Sequence, residues 1–141
     1  MNKLIVVGND KLGRKFINNI EREKFNIVLD SSSSLKRVFK LIKKRKISPG
    51  LIVKMFLADL FRKETTLMDE YDQIENNQDL IDIVKKNNID LVVLYRGGLI
   101  VNKNFLDLGI KILNIHCAKI PEYGGIGVLD RALRDQAYQQ E

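Results

Sequence analysis

The stretch Leu4-Ile5-Val6-Val7-Gly8 is a short apolar run that ends at a glycine, and it decides the expected fold. Leu12, Phe16 and Ile17 follow it with the spacing of one helix face. A continuous apolar run is typical of a strand that is buried on both faces, so the pattern predicts a strand, a turn and a helix. This order of elements opens an α/β fold with a parallel sheet.

Strands and helices continue to alternate after this first unit. Further strands are predicted over 25–29, 91–94 and 110–115, and further helices over 35–47, 51–61, 79–86, 103–108 and around 129–133. Ser34 and Ser48 are the predicted N-caps of the two middle helices, Pro49 follows as a first helical residue, and 64–77 is predicted to be mostly loop. The alternation predicts a Rossmann-like, mainly parallel, doubly wound sheet with flanking helices.

Composition indicates one soluble domain. The chain has 141 residues, of which 45% are hydrophobic and 30% are charged, a balance typical of globular proteins. The apolar run 4–7 is too short for a signal peptide, and the apolar segment 51–61 is too short to span a bilayer.

Cys117 is the one cysteine and His116 the one histidine, which excludes a four-ligand Cys/His zinc site made by this chain alone. We expect a cytoplasmic protein without a metal site.

The net charge of +6 comes from one segment, 35–47, which holds seven cations and no acid. These cations are Lys36, Arg37, Lys40, Lys43, Lys44, Arg45 and Lys46. The region 35–62 is therefore interpreted as a basic and apolar helical insert. Its basic part is either a solvated helix face or a surface that docks weakly on anionic lipid or polyphosphate. The one aromatic residue of the segment, Phe39, belongs to its apolar side, and no aromatic interleaving indicates base stacking, so specific nucleic-acid recognition is not expected.

The turn after the first strand, Gly8-Asn9-Asp10-Lys11-Leu12-Gly13, has the position of a phosphate-binding loop. A glycine there lets backbone N–H groups approach a phosphate at the helix end. Asp10 replaces the second glycine of the dinucleotide-binding pattern, whereas Asp30 has the position of its ribose-binding acid. A tight structural turn and a fragment of a dinucleotide-binding reductase are both open alternatives.

Asn114-Ile115-His116 is the most informative set of residues, because it ends a predicted strand. The period of two places the Asn114 and His116 side chains on one face, at the sheet edge where α/β proteins bind ligands. An amide donor can hold a developing oxyanion, and an imidazole can add charge or move a proton. Acyl transfer needs both functions. A glycine-bearing loop, 121–125, follows and could form one wall of a substrate cleft.

Leu113-Asn114-Ile115-His116, the spacing Pro121-x-Tyr123-x-Gly125 and the pair Ala132-Leu133 resemble the signature of the folate-dependent formyltransferases. The resemblance also extends to 90–95, 98–100 and the Gly8 turn, and it is closest in appearance to the sugar N-formyltransferases. It implies 10-formyltetrahydrofolate as cosubstrate and Asn114 and His116 as catalytic residues. By the same resemblance Gly97, Gly98, Leu99 and Val101 bind the folate, and Gly8, Asn9, Tyr123 and Gly125 bind the substrate.

The resemblance further implies that 1–141 is an incomplete N-terminal catalytic domain. The family's third catalytic residue, an aspartate, would lie beyond Glu141, so we expect impaired activity of this chain. The expected acceptor is the amine of a nucleotide-linked amino sugar from polysaccharide biosynthesis. Alternatives are a fragment of a glycinamide ribonucleotide or methionyl-tRNA formyltransferase, and a non-catalytic module that binds a nucleotide, a folate or a membrane surface. An apolar side on the last predicted helix favours a homo-oligomer.

Overall fold

Five parallel strands form one sheet in the computed structural model, which describes residues 1–32, 42–43, 48–67, 69–116 and 132–137. In chain order the elements are β1 (Lys3–Gly8), α1 (Lys11–Ile17), a 3-10 turn (Arg22–Lys24), β2 (Asn26–Asp30), α2 (Pro49–Leu60), β3 (Gln73–Ile74), α3 (Asn77–Lys86), β4 (Leu91–Tyr95), α4 (Lys103–Leu106) and β5 (Lys111–Ile115). The strand order is β3-β2-β1-β4-β5, and every neighbouring pair is parallel. The predicted α/β, Rossmann-like sheet is confirmed.

The chain divides into two compact units. The first, which we call the sheet unit, comprises 1–33 and 63–115 and contains all five strands. The second unit comprises 34–62 and 116–141. Helix α2 and the segment 132–137 are its main described parts.

Two apolar clusters lie on opposite faces of the sheet, because alternate residues of a strand point to opposite sides. The first cluster is built on Leu4, Val6, Val28, Ile74, Leu80, Ile81, Val84, Ile89, Val92 and Phe105. The second cluster is built on Ile5, Val7, Ile17, Ile27, Leu29 and Val93. Helices α3 and α4 therefore cover one face and α1 covers the other, as double winding requires.

The region between β2 and β4 differs from the predicted loop over 64–77. It contains β3, a strand of two residues that is too short to show a period in the sequence. Helix α3 also begins earlier than predicted. Asn76 caps it by accepting from the N–H groups of Gln78 and Asp79, and the Asp79 carboxylate accepts in return from the Asn76 N–H. Two adjacent asparagines resemble a loop in sequence, yet one of them is the cap.

Helix α2 begins as predicted, with the Ser48 side chain accepting from the Leu51 N–H and Pro49 as the first residue. A helix that is apolar on almost every side is normally buried in a core or against a partner. None of the residues of α2 is buried, and Phe56 is 67% exposed. Ser34 and most of the basic segment lie outside the described residues. No described helix is both long enough and apolar enough to cross a membrane.

Gly13 should be irreplaceable in α1, because a Cβ atom there would overlap the Gly8 carbonyl oxygen and lie 2.9 Å from a Val7 methyl carbon. We expect Gly13→Ala to lower the free energy of unfolding by about 1–3 kcal/mol, as overpacking does. Gly50→Ala in α2 is the matched control, since nothing lies within 4 Å of its added methyl group. Urea unfolding measures both. Equal stability of the two variants would contradict this packing.

Asp79 should make the stability of α3 depend on pH. The Glu75 N–H is the largest cause that holds the pKa of this carboxyl below 3.8, and the Asn76 N–H adds to it. Because the folded pKa is depressed, the stabilisation is present above the unfolded pKa and is lost as the pH falls through the folded one. Asp79→Asn should therefore destabilise the protein at neutral pH and lose this effect in acid.

The measurement is the urea midpoint of wild type and variant from neutral pH to below pH 3.8. Asp82→Asn on the same helix is the control, since Asp82 accepts from the Gln78 side chain and caps nothing. A constant difference between Asp79→Asn and wild type across this range would contradict the capping role.

Candidate functional site

The turn after β1, the end of β2 and the loop after β4 meet at the carboxyl edge of the sheet. Strand β1 is central to this edge because β2 pairs with one side of it and β4 with the other. The strand order reverses between β1 and β4, and open α/β sheets bind their ligands in the crevice at such a point. The candidate site therefore lies at this edge of the sheet.

Asp30, the last residue of β2, is the buried charged residue of this edge and is only 4% exposed. One carboxylate oxygen accepts from the Leu99 N–H at 2.8 Å, and the other accepts from the Ser32 N–H at 2.8 Å. Gly97 passes so close that a Cβ atom on it would lie 3.0 Å from the carboxylate. Both oxygens are thus hydrogen-bonded within the sheet unit. Asp30 therefore has a structural role that the dinucleotide-binding alternative did not predict.

Gly8 is needed where the loop after β4 crosses the end of β1. A Cβ atom at Gly8 would overlap the carbonyl oxygen of Arg96. Arg96 itself has a φ of +57°, in the left-handed region that non-glycine residues seldom adopt. The glycine of the first motif therefore admits a neighbouring loop, which is a structural role that the phosphate-binding pattern did not predict.

Asp10 closes the start of α1 with its own carboxylate. It accepts from the Gly13 N–H at 2.7 Å and pairs with the Arg96 guanidinium at 2.5 Å. A phosphate at this helix end would meet a carboxylate of like charge. The Asp10–Arg96 pair also ties the turn after β1 to the loop after β4.

Asn9 belongs to a polar chain on the other side of this turn. Its side-chain amide donates to the Ser31 hydroxyl at 3.0 Å and accepts from the Arg14 guanidinium at 3.2 Å. The Ser31 hydroxyl in turn donates to Gln73 at 3.0 Å. Asn9, Arg14 and Gln73 line a cavity of about 480 Å³ whose apolar wall, Leu29 and Leu67, belongs to the second cluster.

The loop 96–102, predicted to bind a folate, is held at several points. Besides the bonds of Arg96 and Leu99, the Asn77 side chain donates to the Ile100 carbonyl at 3.0 Å and accepts from the Asn102 N–H at 2.9 Å. Leu99 and Val101 are half-buried and pack against the first cluster. The loop thus has a defined shape and an apolar side.

Asn114 lies in β5, in register with Leu94 of β4. Ile112, two residues earlier, packs against the first cluster, so the period of two assigns Asn114 to the same face. The structure therefore brings Asn114 and the loop residues Leu99 and Val101 to one face of the sheet. The cavity that Asn9 lines is on the opposite face.

The other predicted site residues are only partly described. His116 directly follows β5, is half-buried and belongs to the second unit. Tyr123 and Gly125 lie outside the described residues, as does Cys117. Among the residues that the structure describes, no group of three metal-binding side chains is present.

Sequence reasoning missed the roles of two residues that shape the loop, Arg96 and Asn77, and gave Asp30 a different role. Asp30 was assigned the position of a ribose-binding acid, whereas its partner, Leu99, is 69 residues away. Asn77 is one of several asparagines in a polar segment and gave no local signal. Such partners become visible only when the strand order is known.

The chain is similar to known formyltransferases. The family described as formyl transferase matches residues 3–139. The chain is 31% identical over 65 residues to the methionyl-tRNA formyltransferase of Sulfurihydrogenibium sp. (strain YO3AOP1), a match that covers 45% of this chain and 21% of the relative. Over 63 residues it is 32% identical to the methionyl-tRNA formyltransferase of Borrelia hermsii (strain HS1 / DAH), covering 44% of this chain and 20% of the relative.

A third relative, the methionyl-tRNA formyltransferase of Caldicellulosiruptor saccharolyticus (strain ATCC 43494 / DSM 8903 / Tp8T 6331), is 29% identical over 65 residues, or 45% of this chain and 21% of the relative. The matched stretch thus spans about a fifth of the length of these relatives. They are methionyl-tRNA enzymes, whereas the sequence resemblance favoured sugar N-formyltransferases. No solved structure gives a significant match. Because the family match spans nearly the whole chain, the chain belongs to the formyl transferase family.

Proposed function

We propose that this chain takes part in the transfer of a formyl group from 10-formyltetrahydrofolate to a primary amine. One observation carries the proposal: Asn114 of β5 shares a sheet face with Leu99 and Val101 of the loop after β4. An amide donor beside an apolar loop with backbone polar groups suits an acyl donor that carries a heteroaromatic ring. The family match supports the same reaction class.

The folate is the proposed formyl donor, and the loop residues fit its flat ring. Leu99 and Val101 supply apolar surface that packs against the first cluster, as Leu94 of β4 also does. Gly97 and Gly98 add no side chain that would block an approach to the backbone. When bound, the folate supplies an activated formyl group on its N10 atom. We propose these four loop residues as the folate-binding set.

Asn114 and His116 are the proposed catalytic residues. The acceptor amine forms a bond to the formyl carbon, the bond from that carbon to N10 breaks, and the proton lost by the amine ends on N10. Asn114 donates a hydrogen bond to the formyl oxygen, where negative charge develops during the attack. A protonated His116 adds positive charge to the same oxygen.

We propose methionyl-tRNA as the first candidate acceptor. The relatives that match this chain bear that name. The seven cations of segment 35–47 offer contacts for a nucleic-acid backbone, which needs positive charge and no base reading. This proposal departs from the expectation that the chain has no specific nucleic-acid partner, although it keeps the expectation that no bases are read.

The nucleotide-linked amino sugar is the second candidate. The cavity of about 480 Å³ beside Asn9 favours it, because small-molecule sites have this size and polar lining. Asn9, together with Gly8, was predicted to bind the substrate on the turn after β1. The position of the cavity on the face opposite to Asn114 counts against it.

The catalytic proposal is tested by replacing Asn114 with Ala and His116 with Gln. We expect each variant to lower the rate of formyl transfer about 100- to 1000-fold, since this is the usual effect of losing one donor to a developing oxyanion. Asn104→Ala in α4 is the matched control, an exposed asparagine on the same unit that should leave the rate unchanged. Wild-type turnover by the Asn114→Ala variant would contradict the assigned role.

The acceptor is tested by assaying tetrahydrofolate release with methionyl-tRNA and with a nucleotide-linked amino sugar in parallel. We expect tRNA binding that weakens with salt, with a slope of log K against log salt of about −0.9 for each phosphate contact. Neutralising Lys43, Lys44, Arg45 and Lys46 together should flatten this slope, whereas neutralising Lys85 and Lys86 of α3 should not. Turnover with the sugar alone would establish the second candidate.

A further inference from the structure

We infer that Asp30 is a positioning residue whose buried carboxylate shapes the loop 96–102 before a folate binds. The inference rests on the proposed function, because it assigns a task to the loop. Asp30 does not touch the reacting atoms. It acts through Leu99, the middle residue of the loop.

The attachments of the loop differ along its length. Its first residue, Arg96, pairs with Asp10, and its end is held by the two bonds of Asn77 to Ile100 and Asn102. Leu99 is bonded through its N–H to Asp30 at 2.8 Å. The middle of the loop therefore depends on a residue of β2, which is separated from β4 by the whole width of β1.

A carboxylate suits this position because it offers two acceptors and no donor. Both oxygens of Asp30 face backbone N–H groups, those of Ser32 and Leu99. Hydrogen bonds to a charged acceptor are about twice as strong as neutral ones. An asparagine would turn its NH₂ group toward one of the two N–H groups and lose that bond. An alanine would lose both.

This arrangement also changes how the loop would meet a folate. The Leu99 N–H is donated to Asp30 and is directed toward β2. The sequence resemblance implied that the backbone groups of Leu99 contact the folate ring. The N–H is already used, so the ring must be recognised by other backbone groups, and Leu99 contributes its apolar side chain.

The test compares Asp30→Ala and Asp30→Asn with Asp90→Ala. The control residue Asp90 also accepts from a distant backbone N–H, that of Asn2 at 2.7 Å, but it lies before β4 at the opposite edge of the sheet. The probe is 5-formyltetrahydrofolate, titrated into each variant by calorimetry. We expect Kd to rise about tenfold or more for Asp30→Ala, less for Asp30→Asn, and under about twofold for Asp90→Ala.

In the formyl-transfer assay, KM for the folate should rise in the same order while kcat stays within about twofold of wild type, since a preformed loop contributes to binding. A general loss of structure would instead lower the apparent kcat, because it reduces the folded fraction of the enzyme, and would leave KM unchanged. If Asp30→Ala does not fold, Asp30→Asn carries the comparison alone. A fall in kcat with KM unchanged would overturn the inference.

Hydrogen exchange of the Leu99 amide tests the loop without any ligand. The amide should be protected in wild type and in Asp90→Ala, and should exchange about tenfold faster or more in the Asp30 variants. Unchanged exchange and unchanged folate affinity in these variants would overturn the inference and leave the proposed function in place. A wild-type chain that does not bind 5-formyltetrahydrofolate would contradict the proposed function. The loop-shaping role of Asp30 would then be tested by the exchange rate of the Leu99 amide alone.

Discussion

The hydrogen bond between the Asp30 carboxylate and the Leu99 N–H connects the end of β2 to the loop after β4. Strands β2 and β4 do not pair with each other, because β1 lies between them. To make this hydrogen bond, the loop after β4 must cross the end of β1. Gly8 permits the crossing because a side chain there would overlap the Arg96 carbonyl, and Arg96 turns the chain with a left-handed φ of +57°. The candidate folate loop therefore depends on one glycine, one unusual backbone conformation and one buried acid.

The same crossing brings the Arg96 guanidinium to the start of α1. Asp10 caps the helix and also pairs with the Arg96 guanidinium. A helix start with a free set of N–H groups attracts anions, but here a carboxylate already satisfies the Gly13 N–H. The charge of Asp10 is thus paired within the protein, and Asn9 on the same turn bonds to Ser31 and Arg14.

Much of the fold could be predicted because burial leaves a pattern in the sequence. The runs that became β1, β2 and β4 are largely continuous and apolar, as buried strands of a parallel sheet are. Strand β5 was also predicted from its apolar residues, although most of its residues are exposed. Strand β3 has two residues and leaves no such pattern. The apolar composition of α2 predicts burial in a core or against a partner, and none of its residues is buried within the described part of the chain. An apolar composition states what a helix could bury and not what lies beside it.

The sequence by itself determined the α/β class, the parallel sheet and the position of Asn114 and His116 at the end of a strand. These features depend on local periodicity, and the motif is contiguous. Only the tertiary structure decided that Asn114 shares a face with Leu99 and Val101, that Asn9 lines a cavity on the other face, and that Asp30 serves the loop after β4. The physical reason is that strand order and register bring together residues far apart in the chain, and periodicity carries no information about such pairs.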